Sequence, residues 1–384
     1  MRILVCIRIG TDGEINPFDA CAYELALSQP EAEVILLSMG PESVKGALLN
    51  LTRLGARKAY LLTDTAFAGA DTLATAYTLS LAVKKLNPNL IFCGRQTLVG
   101  DTGQTAVMLS ELVQYSLITN VMGISALADK NIICKTREEG EISAAIPVLI
   151  TVERINNLRL PSILSKAGEV KLLNLNDIGA DKAECGLAGS PTRVIETHEN
   201  TSGRRKCKFI TASALKGIIY EALKAKRGII SDNNAGEKLG KVLCITRAPL
   251  EYAKTISDNI VFCDENNVDA VISAIGSENP DAVLFGSDYL SKRVSALVAA
   301  RLKLGLCADC TKLDTDGNTL FMIRPALSGS VIAKIKSLTR PAMATVRTTD
   351  NSDDIIVTAG YGIRDSIVSV KAFADSLKAT LSTT

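Results

Sequence analysis

The chain has 384 residues, a formal net charge of +2, 47% hydrophobic residues and 22% charged residues. That length exceeds one ordinary core and points to two or three domains, and the balance is globular rather than disordered. The near-neutral charge gives no reason to expect nucleic acid or a membrane surface as partner, and the longest apolar runs, "VILLSMG" and "AVLFG", fall far short of the roughly 18 residues of a membrane span.

The amino-terminal "MRILVCIRIGTDGE" begins directly with a strand pattern and has no signal-peptide character, so a cytoplasmic location without membrane insertion is expected. "RILVCI" reads as a strand and "PFDACAYELALS" as a helix. "EVILLSM" is a strand, and "PESVKGALLNLTRLG" a helix ending at Gly55. Then come the strand "KAYLLT", the helix "DTLATAYTLSLAVKKL", the strand "NLIFCG" and the helix "DTGQTAVMLSELV". Short apolar strands alternating with amphipathic helices predict an α/β fold with a parallel sheet and helices on both faces. Asp71 is placed to cap the helix that starts "DTLATA", Pro41 suits a first helical turn, and Gly55 suits a helix stop. From Ile124 to Val152 the pattern turns to strands of mixed polarity ending in "IPVLITV".

The chain then partly repeats itself. "PNLIFCG" (88–94) matches "PDAVLFG" (280–286), "KAYLLT" matches "KVLCIT" (241–246), and "IPVLITV" matches "RPAMATV" (340–346). Landmarks in the same order predict two related, open, mainly parallel sheets, the second lacking the first two strand–helix pairs of 1–55. The domain reading that follows is 1–153 and 241–350 for the two α/β copies. An extended arm and a helix "ALKGIIYEALKAKRG" (214–228) fill 154–230, a polar linker occupies 231–240, and a remnant 351–384 ends the chain.

Ten cysteines lie scattered, several in apolar segments (Cys6, Cys93, Cys244, Cys263), and read as reduced core residues. The one close pair, Cys307 and Cys310 in "CADC", has the spacing of a redox pair or half a zinc site. No second pair matches it and the only histidine is His198, so the core reading is preferred and no metal is expected. No Ser/His/Asp or Cys/His constellation is visible.

The stretch with most chemistry is "GRQTLVGDTGQTA" (94–106), between a buried strand and a helix. It is either a plain strand-to-helix turn or a cradle for a polar ligand. Its glycines allow close backbone approach, and the helix start offers unpaired N–H groups. The pattern is neither G-x-x-x-x-G-K-[ST] nor G-x-G-x-x-G.

"INPFDACAYELAL", "VILLSMGPESVKGAL", "LGARKAYLLTD", "FAGADTLATAYTLSLAVKKL" and "GRQTLVGDTGQTA" together resemble the beta subunit of electron transfer flavoproteins, from Met1 to about Ile230. "DAVLFGS", "VAARLKLGLCADCTKLD", "IRPALSGS" and "RPAMATVR" resemble the first domain of the alpha subunit. The chain thus looks like a beta–alpha fusion. The resemblance implies the family's domain, of adenine nucleotide alpha hydrolase-like type, and AMP or FAD bound in the beta-like half. Its phosphate would lie against Gly94, Arg95, Gln96, Gly100, Asp101, Thr102, Gly103, Gln104 and Thr105. Further contacts would come from Cys6, from Asn16, Pro17, Phe18 and Asp19, and from Met39. The implied function is electron carriage, with a flavin-dependent dehydrogenase or another electron acceptor as partner.

Three departures from the family pattern stand out. Val99 occupies a usually acidic position. The alpha FAD domain is represented only by "IIVTAGYGIRDSIVSVKAFADSLKATLSTT", so a truncated alpha part is expected, completed by a separate FAD-domain chain or a homodimer, or not at all. The loop that docks acyl-CoA dehydrogenases reads "NNLRLPSILSKAGEVKL" (156–172), shorter and less basic. The rival reading is a non-redox adenine-nucleotide-binding scaffold. Arg324 and Arg347 read as solvated surface residues; the resemblance puts that neighbourhood on the flavin side and keeps Arg324 as a candidate.

Overall fold

The computed structural model describes residues 1–10, 12–200, 214–215, 217–219, 237–347, 356–359, 366–377 and 379–383. The helix expected over 214–228 and the linker over 231–240 fall largely outside them. The chain forms two units, one of 1–203 with 236–347 and one of 204–235 with 348–384.

The larger unit opens with β1 (Arg2–Cys6), α1 (Pro17–Leu27), β2 (Glu33–Met39), α2 (Lys45–Thr52), β3 (Lys58–Leu62), α3 (Thr72–Leu86), β4 (Leu90–Gly94) and α4 (Thr105–Val113). Then follow β5 (Ser116–Leu127), β6 (Asn131–Thr136), β7 (Glu141–Ala145), β8 (Val148–Val152) and β9 (Glu169–Leu173). These nine strands form one sheet in the order β7-β6-β5-β8-β4-β1-β2-β3-β9. It is parallel from β5 to β9, while β6 and β7 are antiparallel. Period-two alternation sorts the side chains. Leu4, Leu37, Ile91 and Leu149 meet α3 and α4 on one face, whereas Ile3, Val5, Leu36, Phe92 and Ile150 meet α1 and α2 on the other. Burying a side chain such as Phe92 contributes roughly 2 kcal/mol.

The second copy comprises β11 (Val242–Ile245), α5 (Leu250–Ile256), β12 (Ile260–Cys263), α6 (Val268–Glu278), β13 (Ala282–Phe285), α7 (Tyr289–Leu302), β14 (Leu306–Cys310) and β18 (Ala342–Val346). Its parallel sheet runs β12-β11-β13-β18-β14, which matches β2-β1-β4-β8-β5. The backbone repeats in detail. Asn89 and Arg2 exchange two hydrogen bonds, Arg2 N to Asn89 Oδ1 at 2.8 Å and Asn89 N to Arg2 O at 3.0 Å. Asp281 and Lys241 make the same pair at 3.0 and 2.8 Å. Asn120 in β5 and Asp309 in β14 both sit at bulges with left-handed φ (55° and 53°). Each donates its N–H to a threonine Oγ1, Thr151 at 2.9 Å and Thr345 at 2.8 Å. The matching of "KVLCIT" with "KAYLLT" is therefore corrected. β11 holds the place of β1, flanked on both sides, and the copy lacks one strand–helix pair equivalent to α2–β3. The short apolar runs are interchangeable in composition, so only pairing distinguishes them.

The segment 154–199, read as an irregular arm, contains two strands. β9 extends the first sheet, and β10 (Thr192–Glu199) joins a four-stranded antiparallel sheet with β15 (Lys312–Thr315), β16 (Leu320–Ala326) and β17 (Val331–Ser337) in the order β10-β17-β16-β15. Both are edge strands with mostly exposed side chains, so they lack the apolar runs that marked the others. Within this unit α4 packs against α7, and a single apolar cluster runs from Leu79 and Leu109 to Ala296 and Met343.

In the smaller unit, β19 (Ile356–Ala359), α8 (Ile367–Ser376) and β20 (Thr380–Thr383) form a parallel strand pair with its helix. Among the described residues no helix is long and apolar enough to cross a membrane.

Candidate functional site

β1 is flanked by β2 on one side and β4 on the other. The chain moves outward through β2 and β3, then returns across β1 to β4. The loops leaving β1 and β4 therefore diverge, and a crevice opens between them, the usual ligand position in an open α/β sheet. A cavity of about 860 Å³ lies there.

Its floor is built by Asp19 in the first turn of α1. The carboxylate is 5% exposed and accepts N–H bonds from Arg8 (2.7 Å) and Gly94 (3.1 Å), tying the ends of β1 and β4 together. Burial pushes its pKa up from 3.8 to about 7, against the opposing effect of those donors. A Cβ on Gly94 would stand 2.3 Å from Asp19 Oδ1 and 2.7 Å from Asp19 N. Gly94 is thus required by the approach of α1 to β4.

Cys6, Asp19, Met39 and Gly94 line the cavity, as do Arg95, Gln96, Gly100, Thr102, Gly103, Gln104 and Thr105. Asn16, Pro17, Phe18 and Asp101 do not line it. Asn16 Nδ2 donates to Gln96 O at 2.9 Å, Pro17 starts α1, and the Arg95 guanidinium lies 5.2 Å from the centre of the Phe18 ring. These residues support the loop from behind. Asp101 borders a neighbouring 300 Å³ cavity, together with Asn120 and Tyr289. Cys6 and Cys93 are register partners on β1 and β4, both at the cavity. The adjacent Cys6 thiol and burial hold the Cys93 thiol well above its usual pKa.

The helix expected from Asp101 begins at Thr105. Asp101 (φ 50°) and Gly103 (φ 64°) are left-handed, which keeps the segment out of the helix. Among the described residues Asp71 caps α3, Asn267 caps α6 and Asp288 caps α7, whereas α1, α2, α5 and α8 start without a side-chain cap. Gln104, at the start of α4, makes no side-chain cap. It is 1% exposed, and neither its Oε1 nor its Nε2 has a hydrogen-bond partner. The first turn of α4, with Thr105 and Ala106 on the cavity wall, is therefore an open helix N-terminus beside an unsatisfied amide. Such a turn offers N–H groups and a positive dipole end to an anion.

Sequence reasoning missed part of the wall. Asp71, Thr72 and Thr75 come from the start of α3, and Cys307 and Ile335 from the second copy, which also contributes Arg324, kept as a candidate from the resemblance. Arg324 is 5% exposed, which corrects its reading as a solvated surface residue. Its Nη2 donates to Asp101 O and its Nε to Pro325 O, both at 3.2 Å. The signal was available: Leu320, Met322 and Arg324 alternate along β16, and all three are buried. Arg347, by contrast, is exposed.

The electron transfer flavoprotein domain profile matches residues 3–178 and 262–360, falling on both copies. The chain is 41% identical over 202 residues to the electron transfer flavoprotein subunit beta of Thermoanaerobacterium thermosaccharolyticum, covering 50% of this chain and 78% of that one. It is 33% identical over 259 residues to the caffeyl-CoA reductase-Etf complex subunit CarD of Acetobacterium woodii, covering 59% and 99%. Protein FixA of Azorhizobium caulinodans is 36% identical over 227 residues, covering 54% and 80%.

Proposed function

This chain belongs to the electron transfer flavoprotein family, and from that premise we propose that it is an electron carrier whose first half binds an adenine nucleotide, AMP or FAD, with a phosphate at the start of α4. One observation carries the nucleotide reading. α4 is left without a side-chain cap at the cavity, and the buried Gln104 amide beside it has no partner. A buried amide without partners is costly, and a ligand phosphate or base edge supplies what it lacks. The residues present therefore fit the group.

Thr105 and Ala106 would bind phosphate through their backbone N–H groups, and Gln104 would orient the ligand. Gly100 and Gly103 keep the loop low enough for contact. FAD, when bound, supplies the redox chemistry; AMP supplies none. The protein's share is placement and exclusion of water.

We further propose that residues 241–350 correspond to the first alpha-subunit domain. The duplicated hydrogen bonds of Asn89 and Asp281 support a common origin for the two halves. The partner would be a chain carrying the FAD domain, or a second copy, with a flavin-dependent dehydrogenase as donor or acceptor. The likeness to a subunit of a caffeyl-CoA reductase-Etf complex favours an assembly of that kind. The 156–172 loop offers it Leu160, Ile163 and Leu164, which are 90%, 95% and 89% exposed.

The test is the absorbance spectrum of the purified protein, with mass spectrometry of whatever heat releases. Flavin bands and released FAD are expected if the first half carries flavin. A colourless protein releasing AMP assigns the nucleotide a structural role and leaves redox work to a partner. A protein that releases no nucleotide overturns the reading. Thr102→Ala with Gln104→Ala, both on the cavity wall, should weaken retention without unfolding.

A further inference from the structure

We propose that Arg324, contributed by the second half, is the counter-charge to the nucleotide phosphate held by the first half, so that the site is completed across the two copies. The proposal rests on the nucleotide reading of the cavity.

A buried cation normally has an ionised partner, because its desolvation is otherwise uncompensated. Arg324 is 5% exposed, yet among the described residues no carboxylate pairs with it. Its two hydrogen bonds go to neutral carbonyls, Asp101 O and Pro325 O. They occupy Nε and one Nη2 hydrogen; among the described residues its other donors make no bond. Cys310 lies close enough to feel its charge, but the Cys307 thiol and burial hold the Cys310 thiol well above its usual pKa, so it supplies no negative charge. What remains within reach is the cavity, whose wall Arg324 shares with Gln104 and the start of α4.

The other two basic residues of the wall are differently placed. Arg95 has its Nε 3.3 Å from Glu153 Oε1 and its guanidinium over Phe18. Arg8 is exposed and reaches Thr97 Oγ1 at 3.5 Å. Arg324 is also held in position. Leu327 N donates to Val99 O at 3.4 Å, a second point at which the second half grips the cradle loop. An arginine fork suits phosphate oxygens, because it can offer parallel N–H groups without losing its charge.

The experiment is isothermal titration of the full chain, freed of retained nucleotide by dialysis. AMP and FAD serve as phosphate-bearing probes and adenosine as the neutral one. Arg324→Gln keeps a donor for Asp101 O and removes the charge. It should weaken AMP or FAD binding about 10- to 100-fold while leaving adenosine within about threefold, the range for losing a charged hydrogen bond. Arg324→Lys should retain more phosphate affinity than the glutamine variant, and it remains informative if the latter does not fold. Equal losses for AMP and adenosine would overturn the inference and make Arg324 a support for the loop. Unchanged binding in both variants would overturn it too. A wild type that binds none of the probes would remove the nucleotide reading itself, and the inference with it.

Discussion

Asp19 reaches under Gly94. One carboxylate oxygen accepts the Gly94 N–H at 3.1 Å while the other accepts that of Arg8 at 2.7 Å, so a single side chain on α1 sets the spacing of the two strands that frame the cavity. Burial raises the Asp19 pKa to about 7, above its unfolded value near 3.8. The folded state therefore holds this proton more tightly. The stability it contributes is fully present below about pH 4 and is lost as pH rises through about 7. Thermal unfolding of nucleotide-free protein should show stability falling from pH 5 to pH 8, with a shallower fall in Asp19→Asn. Parallel curves for the two proteins would assign the slope to other groups.

Gly94→Ala should be far more damaging than a surface change. The added Cβ meets backbone atoms, Asp19 N and Phe18 C, both at 2.7 Å, and these cannot swing aside. α1 would have to retreat from β4, at a cost of about 1–3 kcal/mol or more, typical of overpacking. Gly103→Ala differs in kind. Its φ is 64° but the nearest atom is 3.6 Å away, so the penalty is conformational. Denaturant titration should rank Gly94→Ala as the less stable. The opposite order would mean that α1 moves more easily than its bonds imply.

The two copies are joined by charge as well as by packing. Arg301 on α7 meets Glu111 on α4 at two points, Nε to Oε1 at 2.7 Å and Nη2 to Oε2 at 3.2 Å. The Glu111 side chain is 12% exposed and that of Arg301 43%. Solvent screening at Arg301 limits the pair, and a double-mutant cycle with Glu111→Gln and Arg301→Gln should give a coupling of about 0.5–1 kcal/mol. Raising the salt concentration to about 0.5 M should shrink it further. A coupling near zero would show that this pair adds nothing to the apolar packing between α4 and α7.

Much of the first copy was readable because its strands are buried on both faces and its helix signals are local. Asp71 caps α3 as its position implied, with Leu73 N and Ala74 N both 3.0 Å from Oδ1. The start of α4 was misplaced by four residues, because left-handed Asp101 and Gly103 interrupt a run that has helical composition. The second copy was visible through the match of "PNLIFCG" with "PDAVLFG", and in the structure the residues just before these segments, Asn87 and Asn279, each end a helix in the left-handed conformation. β9 and β10 were not visible, since an exposed edge strand has no apolar run to announce it. The composite character of the site was the least legible feature. Arg324 lies 223 residues from the Asp101 carbonyl that it grips, and no local pattern spans that distance.

Gln104 separates stability from binding. Without a ligand, its buried amide leaves a donor and an acceptor unsatisfied, a cost of about 1–3 kcal/mol. Gln104→Leu removes both polar atoms and keeps similar bulk. The nucleotide-free variant should unfold about 2–5 °C higher than the wild type. The rise in Tm that AMP or FAD gives the wild type should shrink in the variant, because the ligand loses the group that it satisfies. A variant that is less stable when empty, yet gains as much from nucleotide as the wild type, would show that the amide is satisfied within the protein. Such a result would also shift anion binding on the first half's side of the cavity to the uncapped start of α4 and the basic residues of the wall, with Arg324 opposite them.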